Sequence, residues 1–324
     1  MGLGLTLFAA ILISSSCSTD RSAPVASIRF GINKSEVNAL VVIAQERGYF
    51  AANGVEVIQH TYPSGVAALD ALLDEEIDIA AASEFAFVRR VLAGENVRAL
   101  TVINRSSIEY VVARIDRGIR TIDDLHGKTI GAPLGSRPEF ALDRFLYFRG
   151  IDATEVTLVH VPVDQSVDAL VDGEVDAVAA WQPYIDEIRE IMGGDVVVWS
   201  AQEDQPSYTL LASRGEWTAD NAQHVTRFLR ALAEAETWVA ANPDAARQFI
   251  QEKWGYSEAY MASAWPDHAY GLLLDQTLIV AMEDQARWII ERELAGQVET
   301  PNFLHYIYFD GLEAVKPEAV NVIR

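Results

Sequence analysis

Hydroxyl, cationic and aromatic side chains recur in this sequence at one kind of position, the short loop between an apolar strand-like run and a helical pattern. The first N–H groups of a helix have no partner within the helix, and the helix dipole adds partial positive charge there. A helix end can therefore bind the anionic group of a small molecule without a dedicated cation. Loops of this type contain the candidate residues Ser64 and Gly65, Ser83, Gly135, Ser136 and Arg137, and Trp181.

Each candidate would make a different interaction. Arg137 would place a fixed positive charge over a sulfonate or carboxylate, and the ring of Trp181 would stack on the ligand. Gly65 would let the backbone approach closely, since glycine has no side chain. The alternatives stay open: the serines are plain helix caps, Arg137 lies at a solvated helix end, and Trp181 belongs to the core.

Four further positions are secondary candidates. Asn33 follows the first strand and Tyr208 lies near the end of the second α/β block, and we expect both to line the same site. Glu84 and Asp164 stand near helix starts, where either would meet an amine on the ligand. For both acids we favour a solvated carboxylate that the helix dipole stabilises.

The elements that position these loops alternate between strands and helices. A first block reads βαβαβαββ, with strands near 27–32, 55–60, 77–81, 97–103 and 109–115. A second block has strands near 128–133, 155–161, 175–180, 196–199 and 208–213. This alternation predicts βαβ units and mostly parallel sheets. Open α/β sheets bind ligands beyond the carboxyl ends of their strands, so two facing blocks predict a cleft.

From Thr218 onward the pattern turns all-helical. Apolar residues between 225 and 239 recur at helical spacing, which predicts one buried stripe. Trp254, Trp265 and Trp288 lie in this region at a spacing typical of core residues. We expect the helical segment to pack on the first block.

Composition excludes several classes of protein. The 324 residues include 47 acidic and 25 basic side chains, a net charge of −22, and half are apolar. Extensive disorder is excluded, and binding to nucleic acid or to an anionic lipid surface is disfavoured by the charge. One cysteine excludes an internal disulfide framework. The six histidines lack metal-ligand spacing, so no metal and no cofactor are expected.

The N-terminus predicts export. Residues 1–16, which are apolar up to Ser14 and then small and polar, contain an apolar run too short to span a bilayer and are typical of a signal peptide. Cys17 follows three serines, as in a bacterial lipoprotein signal, and residues 17–26 would be the lipidated cysteine and its tether. Two features depart from that signal: Ser14 stands where leucine is usual, and no basic residue precedes the run. A plain cleaved signal, an unprocessed helix and N-myristoylation remain alternatives.

Several strings, taken together and in order, resemble one family. They include AQERGYFAANGVEV and SGVAALDALLDEEIDIA in the first block, and TIDDLHGKTIGAPLGS and ALVDGEVDAVAAWQPY in the second. They are similar to the solute-binding proteins of ABC importers for nitrate, sulfonates, taurine and related compounds, a group that includes binders of thiamine-pyrimidine precursors. The resemblance covers most of residues 27–250. DEEIDIA departs from it, with acids where the family commonly has glycine before the strand.

The resemblance implies the type II periplasmic-binding-protein fold, with two lobes, a two-strand hinge and a helical C-terminal segment packed on the first lobe. We place the first lobe at 27–113 plus 213–324 and the second at 114–212. The resemblance also implies a protein on the periplasmic or cell-surface side that binds a small organic anion or zwitterion. We expect this protein to be a monomer. The partner would be a membrane permease with its ATPase.

Three rival functions remain. Binders of heteroaromatic compounds share the family, and enzymes of pyrimidine synthesis share the fold. Those enzymes use a cysteine-rich segment and a lysine that holds pyridoxal phosphate, and the absence of cysteine after Cys17 argues against them. The third rival is a ligand sensor that docks on a membrane receptor, and the sequence does not distinguish such a sensor from a component of an importer.

Overall fold

Two β-sheets organise the chain, which a computed structural model describes over residues 26–202, 205–296 and 299–324. The strands of this part of the chain are β1 (Ala26–Ile32), β2 (Val55–Thr61), β3 (Ile79–Ser83), β4 (Val97–Ser106), β5 (Glu109–Arg114), β6 (Thr129–Ala132), β7 (Thr157–His160), β8 (Ala177–Trp181), β9 (Val196–Ser200), β10 (Ser207–Arg214), β11 (His268–Asp275) and β12 (Val320–Asn321). The predicted signal peptide and Cys17 lie outside the described residues.

The α-helices are α1 (Ala39–Glu46), α2 (Tyr49–Ala52), α3 (Gly65–Leu73), α4 (Glu84–Leu92), α5 (Arg137–Phe148), α6 (Ser166–Val171), α7 (Tyr184–Met192), α8 (Gly215–Asp220), α9 (Ala222–Ala241), α10 (Pro243–Trp254), α11 (Glu258–Ala264), α12 (Gln276–Glu291) and α13 (Phe309–Glu313). Within the described ranges, no helix combines the length and apolar character that a membrane crossing requires.

The larger sheet has the order β12-β11-β4-β10-β3-β1-β2, and the smaller has the order β7-β6-β8-β5-β9. Strands β1, β2 and β3 run parallel, as do β6, β7 and β8. Helices return the chain between parallel strands, and the loops that precede them therefore gather at the carboxyl edge of each sheet. This confirms the predicted two-lobe α/β architecture.

The lobe boundaries differ from the prediction by several residues. Strand β5 pairs with β8 and β9 in the smaller sheet, whereas β10 pairs with β3 and β4 in the larger one. The chain thus crosses between lobes after β4 and again between β9 and β10, and not at 114 and 213. All but the last residue of β10 are buried, because the strand lies in the middle of the larger sheet. The apolar sequence of a strand predicts that the strand is buried, but it does not predict which of the two sheets the strand joins.

The C-terminal region is not all-helical, which corrects the expectation. Strand β11 pairs antiparallel with β4 and extends the larger sheet, and β12 pairs with β11. Without β11, this edge of β4 would have unpaired backbone N–H and C=O groups, and the pairing satisfies them. The sequence of β11 has no regular alternation of apolar and polar residues, so it did not predict a strand. Helix α9 does bury the predicted stripe, which consists of Val225, Phe228, Leu229, Leu232, Ala235 and Val239. Trp288 is buried, while Trp254 and Trp265 are half-buried against the same core.

The two lobes also meet away from their sheets, where α5 of the second lobe packs on α4 and α12 of the first. The ring of Phe140 lies 6.2 Å from that of Phe85 and 5.7 Å from that of Trp288. The indole N–H of Trp288 donates to Asp143 at 2.7 Å. Because Phe140 belongs to the core cluster of the first lobe, α5 is positioned by both lobes.

Candidate ligand-binding cleft

A cavity of about 370 Å³ lies between the lobes. The sequence-predicted candidates that line it are Asn33, Ser64, Gly65, Ser83, Gly135, Ser136, Arg137, Trp181 and Tyr208. They come from loops of both lobes that are up to 175 residues apart in the sequence. The strand-to-helix loops thus meet in space, as the topology requires.

The first-lobe side presents two capped helix ends. Ser64 Oγ accepts the N–H of Ala67 at 3.2 Å at the start of α3, and Ser83 Oγ accepts the N–H of Ala86 at 3.3 Å at the start of α4. Each hydroxyl acts as an acceptor towards its helix, so its own proton remains available to a ligand. The first backbone N–H groups of both helices add donors and partial positive charge.

Gly65 is explained by packing against a strand. A Cβ at this position would lie 2.9 Å from the Cα of Ala82 in β3. Glycine therefore lets α3 approach the sheet closely, while the same residue lines the cavity. Gly135 has a different requirement, because its φ of +73° falls in the left-handed region that favours glycine.

Arg137 lines the cavity but is not the solvated helix end that one interpretation expected. Its side chain is 8% exposed, and Nε donates to Glu84 Oε1 at 3.0 Å while Nη1 donates to Glu109 Oε2. The residue is therefore not a solvated helix end, and the contact of Arg137 with a ligand anion stays a prediction. We call Glu84, Arg137 and Glu109 the ion triad; it joins α4 of the first lobe to α5 and β5 of the second.

Glu84 is not the solvated acid that we favoured from the sequence. Its side chain is fully buried. Besides Arg137, Oε1 accepts from Gln285 Nε2 at 2.8 Å, and Oε2 accepts the backbone N–H of Tyr208 at 3.0 Å. The carboxylate is thus engaged by the protein. Asp164, by contrast, is exposed in the turn Val163–Gln165 and does not line the cavity, in agreement with the interpretation as a solvated acid.

Three other candidates have defined partners. The hydroxyl of Tyr208 donates to Thr277 Oγ1 at 2.9 Å, and burial raises the pKa of this phenol. The hydroxyl of Ser136 donates to the carbonyl of Pro133 and makes no cap bond to α5. The side-chain oxygen of Asn33 accepts from Asn38 Nδ2 at 3.2 Å.

Trp181 is half-exposed at the cavity, and the core interpretation therefore does not describe it. It ends β8, where it stands directly across from Glu109 in β5. Its ring meets that of Tyr184 edge-on at 6.3 Å between centroids. The second-lobe side of the cavity thus presents an aromatic face beside a carboxylate.

Sequence reasoning missed two charged residues that line the cavity. Arg89 is exposed on α4, and its Nη1 donates across the lobes to the carbonyl of Gly135 at 3.0 Å. Glu109 opens the apolar strand β5, where one acid in an apolar run was the available signal. A second cavity of about 420 Å³ adjoins the cleft on the first lobe and shares Val66, Ala86 and Arg89 with it.

A family model described as NMT1/THI5 like matches residues 36–246. The match spans more than half of the 324 residues, and the chain therefore belongs to this family. Its range includes most of the cleft loops described above. The resemblance drawn from the sequence is confirmed.

Curated relatives are about one-quarter identical. A putative binding protein of Brucella abortus is 25% identical over 209 residues, which is 64% of this chain and 64% of the relative. The chain thus spans just under two thirds of the length of the Brucella relatives that it matches. A putative aliphatic sulfonates-binding protein of Bacillus subtilis is 24% identical over 259 residues, 76% of this chain and 77% of that protein.

Solved structures share the fold. The periplasmic aliphatic sulphonate binding protein SsuA from Escherichia coli superposes with a TM-score of 0.74 and 17% identity, over 90% of this chain and 98% of that chain. The desulfurization enzyme DszB gives a TM-score of 0.63 and 14% identity, over 90% and 99%. The fold is thus the type II periplasmic-binding-protein fold. Binding proteins and enzymes both use it, so function must be argued from the site.

Proposed function

We propose that this chain is the extracytoplasmic substrate-binding component of an ABC importer. It captures a small organic anion or zwitterion between its lobes and delivers it to a membrane permease driven by an ATPase. The observation that carries the proposal is the convergence of two capped helix N-termini, Arg89 and a half-exposed indole on one interlobe cavity of about 370 Å³. The sulfonate-binding relatives named above support it.

The available interactions are sufficient for useful affinity. Micromolar binding corresponds to about 8 kcal/mol. Hydrogen bonds to a charged group contribute about 1.5–3 kcal/mol each. Three or four such bonds from Ser64, Ser83, the helix N–H groups and Arg89, together with one aromatic face, reach this range after the cost of association. A cavity of this volume suits a small ligand.

Binding is coupled to lobe closure. The chain passes between the lobes only from β4 to β5 and from β9 to β10 among the described strands, which is the arrangement of a hinge. Gln202 ties these segments together, because its Oε1 accepts the N–H of Glu109 at 2.9 Å and its Nε2 donates to Ser207 Oγ at 3.1 Å. A ligand that contacts both walls stabilises the closed arrangement.

A thermal-shift screen tests this function. The panel contains alkyl and aryl sulfonates, taurine, nitrate, short carboxylates and aminopyrimidines. We expect an increase in Tm with anionic or zwitterionic members. Stabilisation confined to neutral or cationic compounds would overturn the proposed ligand class. Each hit is then incubated with the protein and followed by NMR, where conversion of the compound would indicate an enzyme.

The proposed location is tested at Cys17. We propose that the mature chain is a monomer held at the outer side of a membrane by a lipid on this residue. Cys17→Ala should move the protein from the membrane fraction to the soluble fraction. Retention of the variant on membranes would contradict lipidation, and size-exclusion chromatography of the released protein checks the monomer.

A further inference from the structure

We propose that the ligand is a zwitterion whose cationic end lies against Glu109 and Trp181, while its anionic end lies at the N-termini of α3 and α4. This inference rests on the proposed function and narrows its ligand class. It assigns to Glu109 a specificity role that the sequence patterns did not indicate.

The first argument is the register of β5 and β8. Glu109 and Trp181 are direct partners in this antiparallel pair. Residues directly opposite each other project from the same face of a sheet, with Cβ atoms roughly 5 Å apart. Both line the cavity, so a carboxylate and an indole are presented side by side to one group of the ligand.

The second argument is the charge of the ion triad. Arg137 is paired with two carboxylates, and the three side chains together carry a formal charge of −1. The side chain of Glu109 is only 7% exposed. Buried charge is costly unless it is paired, and a cationic ligand group would neutralise the triad.

The third argument concerns which oxygen remains open. Glu84 accepts three hydrogen bonds from protein groups. Glu109 accepts the guanidinium of Arg137 on Oε2, and within the part of the chain that the structure describes its Oε1 accepts no hydrogen bond. Oε1 is therefore the acceptor that a ligand ammonium would use, with the face of Trp181 adding a cation–π interaction.

The opposite wall suits the other end of the same molecule. Ser64, Ser83 and the helix N–H groups are donors, and the exposed Arg89 adds positive charge. An anion placed against the triad would instead face a net negative charge. The cleft thus has two different ends: the ion triad, to which Glu84 of the first lobe and Glu109 of the second each contribute an acid, and the donors at Ser64, Ser83 and Arg89.

Isothermal titration calorimetry at pH 7 with two pairs of near-isosteric probes tests this polarity. The pairs are 2-aminoethanesulfonate with propane-1-sulfonate, and 3-aminopropanoate with butanoate. We expect the amine-bearing member of at least one pair to bind at least tenfold more tightly. Glu109→Gln should reduce this preference to less than threefold, by weakening the amine-bearing probe alone. Glu174→Gln, an exposed acid of the same lobe, is the matched control and should keep the preference.

The outcomes separate the two proposals. If the alkyl anions bind as tightly as their amine counterparts, the zwitterion is wrong while the binding function stands. If no probe of either pair binds, the proposed function fails for these classes, and the inference fails with it. If Glu109→Gln does not fold by circular dichroism, Trp181→Leu takes its place and should also lower the preference. A folded variant that keeps the preference overturns the assignment.

Discussion

The two walls of the cleft present different kinds of polar group. The first-lobe wall presents the backbone N–H groups of two helix ends capped by Ser64 and Ser83, together with the side chain of Arg89. The second-lobe wall presents the side chains of Glu109, Arg137 and Trp181. Backbone donors recognise a charge that many anions share, whereas side chains distinguish one molecule from another. We therefore expect affinity for the anion to depend on the first lobe and selectivity on the second.

The walls also differ in what holds them in place. A single large core backs the first-lobe wall, while two smaller clusters lie on the faces of the second sheet. Arg137 on the second wall is held by Glu84 of the first lobe. The side-chain wall thus depends on the backbone wall for its geometry, which the following predictions test.

The largest expected effect is that of Glu84→Ala on folding. The change leaves the guanidinium of Arg137 and the N–H of Tyr208 without this buried acceptor. Removing one partner of a buried ion pair costs about 3–5 kcal/mol of unfolding free energy. Urea unfolding at pH 7 measures it. Glu56→Ala, at an exposed strand position, should stay within about 0.5 kcal/mol of the wild type. A similar small loss for Glu84→Ala would show that the triad does not hold the walls together.

Trp181→Ala should weaken binding by at least tenfold while the fold is kept. The half-exposed ring supplies the apolar face of the second-lobe wall, and tenfold corresponds to about 1.4 kcal/mol. Calorimetry with a hit from the screen measures the affinity. Tyr147→Ala removes a 76% exposed ring on the same lobe, and it should leave the affinity unchanged. Unchanged affinity in Trp181→Ala would remove this residue from the site.

Ser83→Ala and Ser257→Ala form a matched pair that separates capping from binding. Both hydroxyls accept a first-turn N–H, at 3.3 Å for Ser83 and 3.1 Å for Ser257, but only Ser83 lines the cavity. Each change should cost about 1 kcal/mol of stability. Ser83→Ala alone should also weaken the ligand several-fold in calorimetry. Equal affinities in the two variants would confine Ser83 to a structural cap.

The smallest expected effect is the pH response of Glu36, which lies behind the first-lobe wall. Burial alone would raise the pKa of this carboxyl, but His268 at 3.5 Å and the hydroxyl of Tyr260 at 2.9 Å hold the pKa below its ordinary value. A lowered folded pKa contributes stability above the ordinary value of 4.5, and this contribution is lost as pH falls through the folded pKa.

Urea unfolding at pH 7 and pH 4 measures the contribution of Glu36. The stability difference between wild type and Glu36→Gln should shrink at pH 4, by less than about 1 kcal/mol. Glu56→Gln serves as the exposed control and should show no such change. A difference that grows at pH 4 would contradict the lowered pKa.

Many of the cleft residues could be predicted from the sequence because they stand where a strand ends and a helix begins. Ser64, Ser83 and Trp181 satisfy this pattern locally, and parallel topology brings such loops together. The partners of Arg137 could not be predicted, because Glu84 and Glu109 are 53 and 28 residues away in the sequence. The membership of β10 and β11 in the larger sheet was not predicted for the same reason, because strands that pair in a sheet can be far apart in the sequence.

The sequence alone determined the α/β class, the helix starts and the loops that line the cleft, since these follow from hydrophobic periodicity and capping residues within a few positions of one another. Tertiary structure decided the charge of the cleft. Arg137 is a cation in the sequence, yet burial pairs it with one acid from each lobe, and the ion triad that results carries a net negative charge. Burial makes pairing obligatory, and only the folded chain shows which groups are close enough to pair.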